Sequence, residues 1–455
     1  MKDLTIDNIC SAVGGTYTGP ADLRNKEISA VTTDSRRVTD GCLFVPIVGE
    51  KVDGHSFIPK ALEGGAALTL SEKEEWCGKG PCIFVPSTEK AVADIARFYL
   101  SRLSCKVVSV TGSVGKTSTK ETVAAVLSRR FRTKKTPGNL NNALGLPFSI
   151  FTLDENDEIA VLEMGINHFG EMEVLGSIAP PDMSIITNIG ECHLEFLGDR
   201  DGVFRAKTAI FDYLKEGAPV ILNGDDDKLR RVKEVHGVKP VFYGLSPEND
   251  VWADEIAEEG MEAVRCRIHL GEETFPVRIP YPGMHMVMNA LCGAAAGRAF
   301  GLSAEEIAAG ISSLRLPDGR LHKIRTKTLT VIDDCYNANP MSMKASLRVL
   351  AAAEDRKTAI IGDMGELGSE EARYHTEVGE AASSLPVDLF VTVGPLSRHT
   401  AAALAKAGRN VLSFDTTEEC VSHLPEFIKE GTVLVKASHF MEFDRIVEAL
   451  TKEHN

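Results

Sequence analysis

The stretch that most constrains the fold of this chain is residues 106–127, with the sequence KVVSVTGSVGKTSTKETVAAVL. A β-branched run is followed by T-G-S-V-G-K-T-S and then by a helical pattern. This order predicts a phosphate-binding loop, because the glycines let backbone N–H groups point at phosphate oxygens and the helix start favours an anion. Lys116 would reach the terminal phosphates, and the Thr117 hydroxyl would ligate Mg²⁺. Val110 occupies the first glycine position of the longer G-x-x-x-x-G-K-[ST] pattern. An ordinary strand-to-helix turn therefore stays open as an alternative.

The bulk composition narrows the class of protein. The 455 residues are too many for one hydrophobic core, so we expect several domains. A content of 43% hydrophobic and 25% charged residues is typical of a globular protein, and the net charge of −15 argues against a partner such as nucleic acid or an acidic membrane. The ten cysteines lack C-x-x-C pairs, which indicates reduced thiols. With no signal-peptide pattern and no apolar run near the ~20 residues of a membrane span, we expect a cytoplasmic monomer without membrane insertion.

Charged or polar residues follow two apolar runs that are typical of buried strands. The run at 159–162 ends at Glu163, and the run that begins at 183 leads to His193. Because ligands lie beyond the carboxyl ends of strands in open α/β sheets, both side chains are candidate cation ligands. Lys207 lies among apolar residues of a helix predicted over 201–213. The alternatives are a first exposed carboxylate, a structural histidine and a lysine that reaches out to water.

Two polar segments are candidate substrate contacts. Ser35 and Arg36 precede a short strand at 42–45, and a guanidinium is well suited to phosphate or sugar oxygens. Asn141 and Asn142 lie in a loop rich in glycine and proline, where their amides could bond a polar ligand. A solvated turn is the alternative for the first segment, and a tight turn is the alternative for the second.

The alternation of short strands and helices predicts an α/β protein of three domains. We expect a small mixed α/β N-terminal domain over 1–85 and a central doubly wound ATPase domain with the phosphate loop over 86–316. The central domain should carry an antiparallel extension at 240–280. A C-terminal Rossmann-like domain is expected over 317–455, with strands at 329–332, 359–361, 389–393 and 433–435.

Taken together, the motifs resemble those of the ATP-dependent Mur ligases of peptidoglycan synthesis. The resemblance covers the whole chain and rests on these runs: D-S-R-x-V-x-x-G-x-L-F at Asp34 with D-G-H at Asp53, T-G-S-x-G-K-T at Thr111, N-x-N-N-x-x-G-x-P at Asn139, E-M-G at Glu163, N-I-G-x-x-H at Asn188, A-K at Ala206, G-x-H-x-x-x-N at Gly283 and D-D-x-Y-N-A-N-P at Asp333. The last run, with G-D-M at Gly362 and E-L-G at Glu366, is similar to members that add D-alanyl-D-alanine to UDP-N-acetylmuramoyl-tripeptide.

The resemblance implies an amide ligase that uses ATP, two Mg²⁺ ions and a carbamylated lysine, and that passes through an acyl phosphate. In the catalytic and metal sites it implies Lys116, Thr117, Glu163, His193 and Lys207, the last as the carbamate. For ATP it implies Gly112, Ser113, Val114, Gly115, Lys116, Thr117 and Ser118, with Asn289, Arg320 and Asp334 around the nucleotide. For the substrates, UDP-N-acetylmuramoyl-tripeptide and D-alanyl-D-alanine, it implies Ser35, Arg36, Asn141, Asn142, Tyr336, Asn337 and Asn339.

Two positions depart from the family pattern. The late K-G-S-R run reads K-A-S-H here and ends at His439, and Met286 stands where asparagine is common. The competing interpretations are another Mur ligase, a folylpolyglutamate synthase, or a nucleotide-dependent switch without ligase chemistry. The D-N-P-R signature of the relative that adds diaminopimelate or lysine is absent, and the third residue of the acceptor peptide stays open between those two.

Overall fold

A computed structural model describes residues 1–49 and 51–453, and it contains three β-sheets that follow one another along the chain. The sheets lie within the three predicted segments, whose boundaries stay a prediction. The predicted three-domain α/β architecture is confirmed. No helix in the described part of the chain is long and apolar enough to cross a membrane.

The N-terminal sheet is small and mixed. Its strand order is β1-β5-β4-β3-β2, and β1 is antiparallel to β5 while the other pairs are parallel. The strands are β1 Thr16–Thr18, β2 Val31–Thr32, β3 Leu43–Phe44, β4 Leu68–Ser71 and β5 Cys82–Phe84. Helices α1 Ile6–Val13 and α2 Ile58–Glu63 belong to this segment, and α3 Thr88–Ser101 follows at the start of the predicted central segment.

The central sheet has nine strands in the order β14-β13-β12-β11-β10-β9-β6-β8-β7. Pairing is parallel from β7 to β12 and antiparallel from β12 to β14, which confirms the predicted extension. The strands are β6 Lys106–Thr111, β7 Thr133–Lys135, β8 Ile159–Glu163, β9 Met183–Ile186, β10 Val220–Asn223, β11 Val241–Gly244, β12 Val251–Glu259, β13 Ala263–Leu270 and β14 Glu273–Ile279. The helices are α4 Lys116–Leu127, α5 Gly145–Ile150, α6 Glu171–Ile178, α7 Leu194–Leu197, α8 Arg200–Thr208, α9 Met284–Ala299 and α10 Ala304–Ser312.

Alternate residues of the central strands enter different cores. In β8, Ala160 and Leu162 belong to a core shared with α3 and the N-terminal sheet, whereas Ile159 and Val161 pack with residues of α4 and α9. A strand that is buried on both faces needs a continuous apolar run, and this explains the sequence before Glu163. The first core contains residues of both the N-terminal and the central segments. The small N-terminal sheet therefore packs against the central sheet that carries the phosphate loop.

The C-terminal sheet has six strands in the order β15-β16-β20-β17-β18-β19. All pairs are parallel except β15 with β16, an antiparallel edge that the sequence pattern did not predict. The strands are β15 His322–Arg325, β16 Leu329–Asp333, β17 Lys357–Gly362, β18 Leu389–Val393, β19 Val411–Phe414 and β20 Gly431–Lys436. The helices are α11 Pro340–Ala351, α12 Glu371–Ser383, α13 Ser397–Lys406, α14 Thr417–Phe427 and α15 Asp444–Glu453.

Candidate active site

The predicted phosphate loop joins the carboxyl end of β6 to the start of α4. Gly112 has φ +144°, and a Cβ at this position would lie 1.9 Å from Thr187 Oγ1, so no larger residue fits without a shift. Gly115 is in the left-handed region at φ +81° and immediately precedes the helix. The first N–H groups of α4 lack partners within the helix and thus form the anion-binding end of the loop.

Two residues of the phosphate loop are held by the segment that follows the neighbouring strand β9. Ser113 N and Val114 N donate to the backbone oxygen and the side-chain oxygen of Asn188, at 3.0 and 2.9 Å. The Lys116 ammonium folds over the loop and donates to Gly112 O at 2.9 Å. The lysine is therefore at the mouth of the loop, where a terminal phosphate would meet it.

Thr117 and Glu163 are brought together as the strand-end argument predicts. Thr117 Oγ1 donates to Glu163 Oε2 at 2.9 Å, and Asn141 Nδ2 donates to Glu163 Oε1 at 2.8 Å. The backbone of Glu163 is held by Thr136 Oγ1, and its side chain is buried. A carboxylate with a serine or threonine hydroxyl beside it is a suitable oxygen donor set for Mg²⁺ bound to phosphates. Asn142 has a local role, since its Oδ1 accepts from Gly145 N at the start of α5.

A buried lysine that the sequence argument missed completes this network. Lys120 is 1% exposed, and its Nζ donates to Thr136 O at 2.8 Å. The same ammonium lies 3.6 Å from Glu163 Oε2 and 3.4 Å from Glu121 Oε1. Lys120 is four residues after Lys116, so both belong to one face of α4, and that spacing was the available signal.

Lys207 lies in α8 and is completely buried, and its Nζ has no hydrogen-bond partner among the described residues. Burial lowers the pKa of this amine to about 8, and the positive charge of Lys116 acts in the same direction. The predicted helix over 201–213 ends as an α-helix at Thr208 and continues as a 3-10 helix, Ala209–Tyr213. A buried amine without a partner is costly unless another group satisfies it.

His193 precedes α7 and has a left-handed backbone at φ +52°. Its Nδ1 lies 2.6 Å from Glu366 Oε2, in a contact between the central and C-terminal domains. Burial lowers the pKa of His193, and the Glu366 carboxylate opposes that shift. Among residues 1–49 and 51–453, no group of three or more His, Cys, Asp or Glu side chains could hold a metal ion. Mg²⁺ commonly binds through one or two carboxylates together with substrate phosphates, so Glu163 and Thr117 still fit that ion.

Asn289 lies on α9 beside the phosphate loop, 3.8 Å from the position of a Cβ on Gly115. Its Oδ1 accepts from Thr119 Oγ1 at 3.0 Å, and its Nδ2 donates to the sulfur of Met286 at 3.4 Å. Both ends of the amide are thus used within the protein. Met286, which departs from the pattern that the resemblance implies, supplies a weak sulfur acceptor here.

Asp334, predicted to approach the nucleotide, is held inside the C-terminal domain. Its Oδ1 accepts from Leu321 N at 3.1 Å, and its Oδ2 accepts from Ser346 and from Lys436 at 2.7 Å. Lys436, which the sequence argument did not assign, is 3% exposed and also donates to Asn337 O. Asp334 therefore fixes the loop after β16.

The Arg320 side chain covers the ring of Tyr336 in the loop after β16. The Arg320 guanidinium lies 4.3 Å from the centre of the Tyr336 ring, and the ring of His439 stacks on Tyr336 at 5.8 Å. Asn337 Oδ1 accepts from Ala338 N, and Asn339 caps α11 by accepting from the backbone of the third helical residue. Tyr336, His439 and Arg320 thus form one layered surface, while the two asparagines have local partners.

Ser35 and Arg36, the candidate substrate contacts in the N-terminal domain, lie in a turn. Arg36 forms a fork with Asp34, with Nε and Nη2 each 2.9 Å from a carboxylate oxygen, and the arginine side chain is 81% exposed. The structure brings Thr117, Glu163 and Asn141 together directly. Burial, together with the positive charge of Lys116, lowers the pKa of Lys207 and of His193. Among the described residues, Ser35 and Arg36 make no contact with any of these phosphate-loop and strand-end residues.

Comparison with known proteins places this geometry in a family. Three family descriptions match the chain: Mur ligase family, catalytic domain at 27–100, Mur ligase middle domain at 110–297, and Mur ligase, glutamate ligase domain at 319–439. A relative from Bacillus subtilis (strain 168), named UDP-N-acetylmuramoyl-tripeptide–D-alanyl-D-alanine ligase, is 37% identical, with 99% of each chain covered. The chain belongs to the Mur ligase family.

Solved structures of Mur ligases share the whole architecture. MurF from Acinetobacter baumannii is 30% identical, covers 98% of both chains and has a TM-score of 0.90. The MurF ligase from Thermotoga maritima, solved in complex with ADP, is also 30% identical, covers 93% of this chain and 97% of that chain, and has a TM-score of 0.82. The three-domain arrangement of this Mur ligase is therefore that of the MurF structures.

Proposed function

We propose that this chain joins D-alanyl-D-alanine to UDP-N-acetylmuramoyl-tripeptide with hydrolysis of ATP to ADP and phosphate. The observation that carries the proposal is the 37% identity over 99% of both chains to a relative named for that reaction. The phosphate loop beside the Thr117–Glu163 pair supports it, because the acceptor carboxylate needs activation by a phosphoryl group. We also propose that the protein acts as a monomer and that it acts in the cytoplasm, where ATP is available.

The activating step is a phosphoryl transfer. An oxygen of the tripeptide carboxylate attacks the terminal phosphorus of ATP, the bond to the β-phosphate oxygen breaks, and ADP leaves with the electron pair. The amides at Gly112 and Gly115 and the Lys116 ammonium would hold the phosphates in line for this transfer. Two Mg²⁺ ions, when bound, neutralise charge on the transferred group, and Thr117, Glu163 and His193 would hold them.

Lys207 fits the proposed carbamate. Its amine is buried and has no hydrogen-bond partner among the described residues, and an added carboxylate group would supply polar atoms that satisfy it. The neutral amine would add to the carbon of CO₂ and lose one proton, and this converts a buried cation into an anionic oxygen ligand. A pKa near 8 makes the neutral amine available close to physiological pH.

The amide bond forms in the second step. The neutral amine nitrogen of D-alanyl-D-alanine attacks the acyl-phosphate carbon, and the carbon–oxygen bond to phosphate breaks. Inorganic phosphate leaves with the electron pair and takes up the proton that the nitrogen loses. Domain closure would exclude water from the acyl phosphate and bring the C-terminal surface toward the nucleotide. For the nucleotide we propose Asn289, Arg320, Asp334 and Ser118. For the substrates we propose Ser35, Arg36, Asn141, Asn142, Tyr336, Asn337 and Asn339.

Phosphate release from ATP tests the reaction. We expect release that requires both UDP-N-acetylmuramoyl-tripeptide and D-alanyl-D-alanine, measured with diaminopimelate-containing and lysine-containing tripeptides in parallel. Release with neither substrate would indicate a nucleotide switch, and release with glutamate as the amine would indicate a folylpolyglutamate synthase. Lys207→Ala should abolish ligation, and added bicarbonate should not restore it. Turnover of that variant like the wild type would contradict the carbamate.

A further inference from the structure

Glu366 follows β17 and has an unusual backbone for its residue type. Its φ is +61°, in the left-handed region that non-glycine residues rarely adopt, and its contact partner His193 is also left-handed at φ +52°. Such conformations cost free energy and persist where the surrounding structure enforces them. Two strained residues from different domains therefore meet through their side chains, 2.6 Å apart.

The surrounding contacts keep this segment at the rim of the central domain. Gly368 has φ +64°, and a Cβ on it would lie 3.4 Å from the backbone of Glu195 in α7. Leu194, the residue after His193, packs against the C-terminal core. The position of Glu366 next to His193 is thus fixed by packing on both sides and is not a chance surface pair.

Glu366 differs from the other acidic residues in the strand-end motifs of its domain. Asp363 accepts from Ser397 N at 2.6 Å, and Asp334 is held by three donors. For Glu366, the contact of Oε2 with His193 is the one contact with a basic side chain within 4 Å among the described residues, and the carboxylate side chain is 46% exposed. It is a carboxylate with capacity to bind a further cation.

The second step of the proposed reaction has an electrostatic problem that such a carboxylate solves. At neutral pH the incoming dipeptide carries an ammonium group, and it must approach a centre that contains Lys116 and that would also hold the Mg²⁺ ions of the first step. Like charges repel at this range unless an anion compensates them. Glu366 belongs to the C-terminal domain, and its carboxylate lies within electrostatic range of Lys116.

We propose that Glu366 binds the ammonium group of the incoming amine, which takes the place of His193 as the contact partner of the carboxylate. The proposal rests on the proposed ligase function and adds a residue that selects an amine arriving as its ammonium form. The bound ammonium gives up one proton to water, and the neutral nitrogen is the nucleophile. The carboxylate contributes a charge-assisted hydrogen bond to the amine and none to ATP or the tripeptide. Its loss should therefore affect one substrate of the three.

The test compares Glu366→Gln with the wild type in steady-state ligation and in trapping of the acyl phosphate by hydroxylamine, a nucleophile that is neutral at neutral pH. We expect the KM for D-alanyl-D-alanine to rise by about tenfold to a hundredfold, the range for loss of a charge-assisted hydrogen bond. The KM values for ATP and the tripeptide, and the rate of hydroxamate formation, should stay within about twofold of wild type. Glu366→Asp, which keeps the charge, should recover part of the affinity for the dipeptide.

Glu370→Gln is the matched control, since Glu370 lies four residues away and pairs with Arg373 on the surface. An unchanged KM for the dipeptide in Glu366→Gln would overturn the proposal. So would an equal loss of hydroxamate formation and ligation, since Glu366 would then act on the first step by orienting His193. If the wild-type protein forms no hydroxamate and shows no dipeptide-dependent phosphate release, the ligase function itself is wrong.

Discussion

Replacement of Lys207 by methionine should make the unliganded protein more stable while it abolishes ligation. Lys207 is completely buried and has no hydrogen-bond partner in the part of the chain that the structure describes, and burial lowers its pKa from 10.5 to about 8. A depression of that size corresponds to about 3 kcal/mol of unfolding free energy, since one pKa unit is about 1.4 kcal/mol. Methionine has a similar length and no charge, so the Lys207→Met variant avoids this cost.

The pH dependence gives the sign of the effect. Below pH 8 the lysine is protonated in the folded and unfolded protein, so the full cost is present. As the pH rises from 8 toward 10.5, the folded amine is neutral while the unfolded one still binds a proton, and the cost declines. The advantage of Lys207→Met should therefore be about 3 kcal/mol near neutral pH and below about 1 kcal/mol near pH 10.

The assay is thermal unfolding in CO₂-free buffer without Mg²⁺ or nucleotide. For a domain the size of the central segment, a gain of about 3 kcal/mol in unfolding free energy raises the transition temperature by roughly 6–12 °C. The exposed Lys239 provides a control, since Lys239→Met should change stability by less than about 0.5 kcal/mol. A lower stability of Lys207→Met at every pH, or an advantage that does not shrink with rising pH, would refute the reasoning.

Two further predictions concern the phosphate loop and its supporting lysine. Lys120→Met should destabilise the protein by about 3–5 kcal/mol, because it leaves the buried Glu163 carboxylate without its ammonium, and Mg²⁺ with ADP should recover part of the loss in a thermal shift. The control is Lys134→Met in β7, because Lys134 makes no ion pair among the described residues. Equal stability of the two variants would exclude a charge role for Lys120. Gly112→Ala should weaken ADP binding by at least about tenfold in calorimetry, since its Cβ would collide with Thr187; wild-type affinity would show that the loop can adapt.

The sequence predicted the elements that depend on local chemistry. Buried strands on both faces of the sheet need continuous apolar runs, so β6 and β8 are readable, and Lys-Thr after two glycines marks the start of α4. The carboxyl ends of parallel strands meet at one edge, which is why Glu163 could be expected near Thr117 although 46 residues separate them. The antiparallel edge strand β15 was missed, because its run is short and half-buried.

Contacts between side chains from separate segments were decided by the tertiary structure. The Glu366–His193 pair depends on how the C-terminal domain packs against α7, and no periodicity within either segment encodes that packing. Lys120 has the pattern of a surface lysine, and only the neighbouring carboxylates make its burial tolerable. The sequence by itself determined the phosphate loop, the strand ends and the class of architecture, because these follow from backbone geometry and local polarity. The charges that surround the strand ends were settled only by the fold, because Coulomb interactions depend on distance in space and not on separation along the chain.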